Sequence, residues 1–127
     1  MSRTQIVRAY LKAIEQRRDL NGFYAPDMVQ EEFPNLLRPT GARRELADLK
    51  DAGQRGRDVM RSESYEIVSV VEAGDIVACE ILWRGVLGVA LRSLKPGQEM
   101  RGRLAAFFEF EGDKIRRLRN YDCFEPF

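Results

Sequence analysis

The stretch that decides the fold runs from Ser64 to Phe127 and reads SYEIVSVVEAGDIVACEILWRGVLGVALRSLKPGQEMRGRLAAFFEFEGDKIRRLRNYDCFEPF. It contains four strand-like runs, at Ser64–Val71, Ile76–Val86, Glu99–Glu111 and Lys114–Phe124. Turn residues separate the runs, at Glu72–Asp75, Leu94–Gly97 and Glu111–Asp113. Consecutive strands joined by such turns predict an antiparallel meander.

The first half of the chain is mainly helical by its apolar spacing. A first helix is predicted from about Thr4 to Arg18, with a capping box between Ser2 and Gln5 at its start. A short strand is expected at Met28–Phe33, and a further helical segment at about Ala42–Met60. Helices followed by a strand meander indicate an α+β fold, in which a curved sheet covered by helices leaves a pocket.

Size and charge limit the classes of function. At 127 residues the chain is expected to form one domain, residues 1–127. Its 21 basic and 20 acidic side chains give a net charge of +1, which predicts no nucleic-acid partner. No segment has the composition of a signal peptide or a membrane span, so we expect a cytoplasmic protein that does not bind membranes.

The chain contains no histidine. This excludes catalytic triads that depend on histidine, histidine-ligated metals and imidazole acid–base chemistry. The acids form no recognisable oxygen-ligand loop, so no metal and no cofactor are expected. Any catalysis must use the carboxylates, tyrosines, lysines, arginines or thiols.

The alternation along the central strands suggests that both sheet faces are covered. Met100, Leu104 and Phe108 share a wholly apolar face, whereas the opposite face, which includes Arg103 and Phe107, is mixed. Helices can cover only one face of the sheet. We therefore predict a homodimer that covers the other.

Three strings resemble the nuclear transport factor 2-like superfamily, and within it the SnoaL-like polyketide cyclases and the ketosteroid isomerases. They are Ala9–Ile14, Phe23–Pro34, and Phe108–Ile115 continuing to Arg119–Phe124. The resemblance covers the whole chain. It implies a cone-shaped α+β barrel, with a curved antiparallel sheet wrapped around N-terminal helices and an internal pocket. It also implies a small hydrophobic, polyketide-like or terpenoid-like ligand.

The same resemblance suggests catalytic residues. Tyr10 falls where the isomerases keep the tyrosine that hydrogen-bonds an enolate oxygen. Their general base precedes a proline, and here the nearest acids to Pro34 are Glu31 and Glu32, which point to opposite faces. We choose Glu32, which shares its face with Gln30. The second oxyanion acid of the isomerases is missing, and without histidine the known mechanism of the SnoaL-like cyclases cannot apply intact.

Other candidates come from the strands themselves. Glu80 lies mid-strand among apolar residues, where a carboxylate is either paired with an arginine or raised in pKa and suited to base catalysis. Phe33, Trp83, Tyr121 and Asp122 are candidate ligand contacts. Tyr121 and Asp122 must face opposite ways, so only one of them can line a given cavity.

These observations leave three hypotheses open. The first is a small-molecule-binding enzyme, an isomerase, cyclase or lyase, in which Glu32 or Glu80 removes a proton and Tyr10 stabilises the enolate. The second is a ligand carrier or protein-docking module without catalysis. The third is an enzyme resembling an epoxide hydrolase, in which carboxylates activate water.

Overall fold

Two helices and six strands build the fold in a computed structural model that describes all 127 residues. In chain order these are α1 (Arg3–Glu15), a 3-10 turn (Asn21–Phe23), β1 (Tyr24–Glu32), β2 (Ala42–Glu45), α2 (Leu46–Val59), β3 (Met60–Ala73), β4 (Ile76–Leu87), β5 (Glu99–Glu111) and β6 (Lys114–Phe124). No helix is both long and apolar enough to cross a membrane.

The six strands form one curved, open sheet in the order β2-β1-β6-β5-β4-β3. The meander from β3 to β6 is antiparallel, as predicted, and β1 pairs in parallel with β6. The sheet is therefore mixed rather than wholly antiparallel. The helices cover one side of it, and the α+β architecture predicted from the sequence is confirmed.

Strict alternation separates the two faces of the sheet. Along β5 every second residue from Met100 to Phe110 is buried, and β4 shows the same pattern from Val77 to Leu87. We call the helix-covered side the inner face and the opposite side the outer face. The inner face holds the core because its apolar side chains lose their contact with water there.

Helix α1 supplies the apolar stripe that packs on the inner face. Ile6, Val7 and Leu11 are buried, and the helix contacts β3 and β4. Ser2 and Gln5 form the predicted capping box, in which each side chain accepts a hydrogen bond from the other residue's backbone N–H. The helix ends at Glu15, three residues before the predicted end.

Helix α2 is shorter than predicted. The segment Ala42–Glu45, predicted as helix, is instead β2, an edge strand that pairs antiparallel with β1. Glu45 then caps α2, whose second half remains helical despite Gly53 and Gly56. No residue of α2 is fully buried, and this helix reaches the core only through the partly buried side chains of Leu49 and Val59.

Candidate functional site

A cavity of about 540 Å³ lies between the inner face of the sheet and the two helices. Tyr10 from α1, Tyr24 and Glu32 from β1, Glu63 from β3 and Asp122 from β6 all line it. Trp83, Leu104 and Phe124 add apolar wall. Ionisable groups and apolar surface thus meet in one cavity that opens to solvent, as in most small-molecule sites.

Asp122 is the most unusual group of the cavity. It sits opposite Leu104 on β5, and its Oδ1 atom is buried without a hydrogen-bond partner. Burial and, to a smaller extent, the negative charge of Glu32 raise the pKa of Asp122 to about 6, and Arg44 partly opposes the rise. A carboxylate with this pKa is a stronger base than an ordinary aspartate and is still mostly ionised near neutral pH.

Glu32 is held by three donors. Arg44 Nη1 donates to Glu32 Oε1 at 3.0 Å, and Asn35 Nδ2 donates to Oε2 at 2.8 Å. Arg38 adds a weaker ion pair at 3.7 Å. Arg44 is itself 8% exposed and also donates to Gln30 Oε1 at 3.1 Å. Because both oxygens of Glu32 are engaged, its carboxylate is fixed in place as a negative charge near Asp122.

Two tyrosines provide neutral hydroxyl groups. The hydroxyls of Tyr10 and Tyr24 lie 2.8 Å apart, and the Tyr10 ring makes edge contacts with Phe23 and Phe108. Burial raises the pKa of both tyrosines, so both stay protonated at neutral pH. One hydroxyl donates to the other, which leaves one O–H proton of the pair for a ligand.

Glu63 is a second, partly buried carboxylate, and the sequence analysis did not select it. Trp83 Nε1 donates to Glu63 Oε1 at 3.1 Å, and the Tyr65 hydroxyl donates to the same atom at 3.3 Å. Burial raises the pKa of Glu63, and these two hydrogen bonds oppose the rise. The predicted strand begins at Ser64, so Glu63 lies outside the elements predicted from the sequence. The spacing of two between Glu63 and Tyr65, which places both on one face of a strand that starts earlier, is the sequence signal that would have revealed it.

The structure brings four predicted site residues to the cavity, namely Tyr10, Glu32, Trp83 and Asp122. It also resolves two open choices. Glu32 lines the cavity, whereas Glu31 faces Arg117 at 3.8 Å. Asp122 points inward, and Tyr121 is 42% exposed.

Three other predicted residues lie outside the cavity. Glu80 is on the outer face, where its Oε2 accepts a hydrogen bond from Arg103 Nη1 at 2.6 Å. The expectation that Glu80 shares a cavity with Tyr10 is therefore wrong, because its neighbours Cys79 and Ile81 take the inward positions. The expectation that Phe33 and Tyr121 contact a ligand in the pocket is also wrong, because neither residue lines the cavity.

The Phe33 and Tyr121 rings stack on each other outside the cavity. Their centroids are 4.4 Å apart and their planes differ by 8°. Each follows or precedes an inward-facing acid in sequence, so the alternation of the strand turns both rings away from the cavity. Their contact holds the end of β1 to β6.

A second hollow of about 800 Å³ opens beside β3 to β6 and includes outer-face residues such as Leu82, Arg84 and Arg103. Its acids are Glu15, Glu66 and Glu125, none of them buried. The smaller cavity is the candidate site because only there do two carboxylates with burial-raised pKa values, Asp122 and Glu63, meet the Tyr10–Tyr24 hydroxyl pair. No group of three or more acids or cysteines is arranged to hold a metal ion.

Solved structures with the same fold are numerous. A proposed polyketide cyclase from Xanthomonas campestris is 26% identical, with a TM-score of 0.78 over 94% of this chain and 88% of that one. IdmH, a proposed polyketide cyclase from Streptomyces antibioticus, is 17% identical, with a TM-score of 0.80 over 96% and 92% of the two chains.

A third structure is a hypothetical protein from Catenulispora acidiphila with a ketosteroid isomerase-like fold, in complex with trimethylamine. It is 18% identical, with a TM-score of 0.73 over 92% of this chain and 84% of that one. No curated protein matches the chain by sequence. Residues 7–118 match the family model of the SnoaL-like domain, which ends just before Asp122. The family resemblance inferred from the sequence is thereby confirmed, and the chain belongs to the SnoaL-like domain family.

Proposed function

We propose that the protein is an enzyme that enolises a small carbonyl compound by proton transfer, as an isomerase, cyclase or lyase without a metal or organic cofactor. One observation carries the proposal. The Asp122 carboxylate lines a partly apolar cavity, with a buried oxygen that no protein group engages. A buried acceptor without a partner is costly for a fold, and it is useful when a substrate supplies the proton.

In the proposed reaction, Asp122 removes a proton from the carbon next to the substrate carbonyl. The C–H electron pair moves to form the enolate, whose negative charge collects on the carbonyl oxygen. A free O–H of the Tyr10–Tyr24 pair donates a hydrogen bond to that oxygen. In an isomerase acting on a β,γ-unsaturated ketone, the proton held by Asp122 then passes to the γ-carbon of the dienolate. In a cyclase, the enolate carbon attacks a second carbonyl and closes a ring, and the alkoxide that forms takes the proton from Asp122.

Glu32 has a different role in this proposal from the one expected. Its oxygens are occupied by Arg44 and Asn35, so it is a poor acceptor for a substrate proton. It acts instead as a positioning residue, because its fixed negative charge raises the pKa of Asp122. The sequence analysis placed Asp122 only among the ligand contacts, and we assign it the base.

The experiment measures exchange of the proton next to a carbonyl for deuterium in deuterium oxide, over a panel of enolisable ketones. Exchange reports enolisation even when the natural product is unknown. We expect Asp122→Asn to lower exchange by about 100-fold, the usual contribution of a general base. The matched control is Glu80→Gln, which also removes one carboxylate but on the outer face, and it should leave exchange unchanged.

Exchange that survives in Asp122→Asn would rule out this base. Tight ligand binding with no exchange by the unaltered protein would favour the carrier hypothesis instead.

We further propose a homodimer formed through the outer face. Phe107 and the stacked Phe33–Tyr121 pair place aromatic surface there, and Arg119 lies over the Phe107 ring. Sedimentation should give a dimer at micromolar concentration, and Tyr121→Glu should shift it to monomer. A monomer in the unaltered protein would contradict the proposal.

A further inference from the structure

The lining of the cavity is strongly basic. Six arginines belong to it, namely Arg17, Arg18, Arg38, Arg44, Arg55 and Arg57, and its acids are Glu32, Glu63 and Asp122. The whole chain carries a net charge of only +1. Positive charge is therefore concentrated at this site rather than spread over the surface.

Two of these arginines are already engaged by acids and two by neutral groups. Arg44 and Arg38 pair with Glu32. Arg17 donates to the backbone carbonyls of Arg57 and Met60, and Arg57 donates to Gln54 Oε1 at 2.9 Å. Neither Arg17 nor Arg57 has a carboxylate partner.

Arg18 and Arg55 remain without any side-chain hydrogen bond or ion pair. Both are exposed and both line the cavity, which places them at its mouth. Arg18 follows the end of α1, and Arg55 lies in α2, so they approach the mouth from different elements. A guanidinium group is a strong donor to carboxylate and phosphate oxygens.

The acids inside the cavity do not neutralise this rim. Glu32 is bound by Arg44, and Glu63 accepts hydrogen bonds from Trp83 and Tyr65. Asp122 is the only acid with an unengaged buried oxygen. The site thus has an apolar interior with one free carboxylate and a mouth with two free guanidinium groups.

We infer that the ligand of this cavity is an amphiphilic organic anion, with a carboxylate or phosphate bound by Arg18 and Arg55 and an apolar part inside. The inner part contacts Trp83 and Phe124, and its carbonyl lies near Asp122 and the tyrosine pair. The inference rests on the proposed function in placing the substrate in this cavity and in giving it a carbonyl group. It narrows the substrate class to carbonyl compounds that carry a terminal anion, either a free acid or a phosphate ester.

The test compares two fluorescent probes with the same apolar skeleton. Anilinonaphthalene sulfonate carries an anionic group, and N-phenylnaphthylamine carries none. We expect the unaltered protein to bind the sulfonate about tenfold more tightly, with an affinity that falls as salt is added. The double variant Arg18→Gln/Arg55→Gln should lose this preference and bind the neutral probe within about twofold of the unaltered protein.

The matched control is Arg8→Gln/Arg61→Gln. It makes the same change in net charge at two exposed arginines that lie outside the cavity and pair with no acid. It should keep the preference for the sulfonate. Equal binding of the two probes by the unaltered protein, or an equal loss in the control, would overturn the inference.

Displacement of N-phenylnaphthylamine distinguishes the two sources of the anion. Decanoate, decyl phosphate and decanol share an alkyl chain and differ in the head group. Stronger displacement by decanoate assigns a carboxylic acid, and stronger displacement by decyl phosphate assigns a phosphate ester. Displacement by decanol as strong as by both anions counts against an anion site.

Binding and catalysis are separated by Asp122→Asn. This variant should lose proton exchange yet keep or strengthen the preference for the sulfonate, since it removes a negative charge from the cavity. A preserved preference without exchange in the unaltered protein would leave the anion site standing and the catalytic proposal overturned. Proton exchange by the unaltered protein without any preference for the sulfonate would support the catalytic proposal and overturn the anion site.

Discussion

Arg44 Nη1 donates to Glu32 Oε1 at 3.0 Å across two neighbouring strands, and the pair is almost wholly withdrawn from water. It joins the edge strand β2 to β1 and fixes the negative charge that acts on Asp122. The stability of this corner of the sheet and the basicity of the proposed catalytic group therefore depend on the same contact.

Glu32→Gln should lower the free energy of unfolding by about 3 kcal/mol, because Arg44 is left as a buried charge without its counter-charge. It should also lower the pKa of Asp122, since one cause of its rise is removed. Urea unfolding and a carboxyl titration followed by NMR check the two effects. The control Glu31→Gln breaks a more exposed pair with Arg117 and should cost at most about 1 kcal/mol. Equal costs for the two variants would contradict the role given to the buried pair.

Asp122 should make stability depend on pH in a defined direction. Its pKa is raised in the folded state from 3.8 to about 6, so the folded protein holds the proton more tightly than the unfolded chain. The resulting stability is fully present below about pH 4 and is lost as the pH rises through about 6. The total change is about 3 kcal/mol, from about 1.4 kcal/mol for each pH unit between the two values.

Urea unfolding of the unaltered protein and of Asp122→Asn, from about pH 4 to about pH 8, measures this term as the difference between the two curves. We expect the unfolding free energy of Asp122→Asn to increase relative to that of the unaltered protein as the pH rises. The proton-exchange activity of the unaltered protein should rise over the same interval, because only the ionised carboxylate accepts a proton. A difference between the two curves that does not change with pH would show that folding does not raise the pKa of Asp122.

The tyrosine pair should contribute to both turnover and stability. Tyr24→Phe and Tyr10→Phe each remove one hydroxyl of the 2.8 Å contact and should each cost about 1 kcal/mol in unfolding free energy. Proton exchange should fall about tenfold or more when both hydroxyls are removed, because the enolate oxygen loses its donor. Tyr121→Phe is the control, since that side chain lies outside the cavity. Full exchange activity in the double variant would exclude the pair as the enolate donor.

Two glycine substitutions should change the stability of the protein in opposite directions. An added Cβ at Gly85 would lie 2.7 Å from Trp83 Cζ2 and 2.8 Å from Met60 Sδ, so Gly85→Ala should destabilise the protein by about 1–3 kcal/mol. Gly56 lies within α2 with nothing within 4 Å of an added Cβ. Gly56→Ala should stabilise by about 0.5–1 kcal/mol through helix propensity. Thermal unfolding of both variants checks this, and a gain in Gly85→Ala would show that the Trp83 ring is free to move.

Much of the fold follows from the sequence because its signals are local. The turns, the alternation along β4 and β5 and the capping box of α1 all lie within short segments, and the structure contains each of them. Strand β2 was not predicted, because Ala42–Glu45 has a helical composition. It forms a strand through its backbone pairing with β1 and the contact between Arg44 and Glu32. Both contacts join separate segments of the sequence, so local composition does not reveal them.

The errors at the site arise where the sequence leaves a strand's covered face or its first residue undetermined. Both faces of β4 are partly apolar, so the sequence shows that Glu80 opposes Cys79 without showing which of the two faces the helices cover. Glu63 was missed because β3 begins at Met60, four residues before the predicted run, which begins at Ser64. Tyr10, Glu32 and Asp122 come from three different elements, and only the folded sheet determines that they meet.

Helix α2 has no fully buried residue, although Arg55 and several of its neighbours line the cavity. Only Leu49 and Val59 of this helix pack, partly buried, against the core. Detaching it should therefore expose little apolar surface, and local opening should require less free energy than global unfolding. Its amide hydrogens should exchange with solvent faster than those of β4 and β5. A ligand that bridges Arg18 and Arg55 would slow that exchange, so occupancy of the cavity could be followed from the backbone of a helix that contributes only two partly buried side chains to the core.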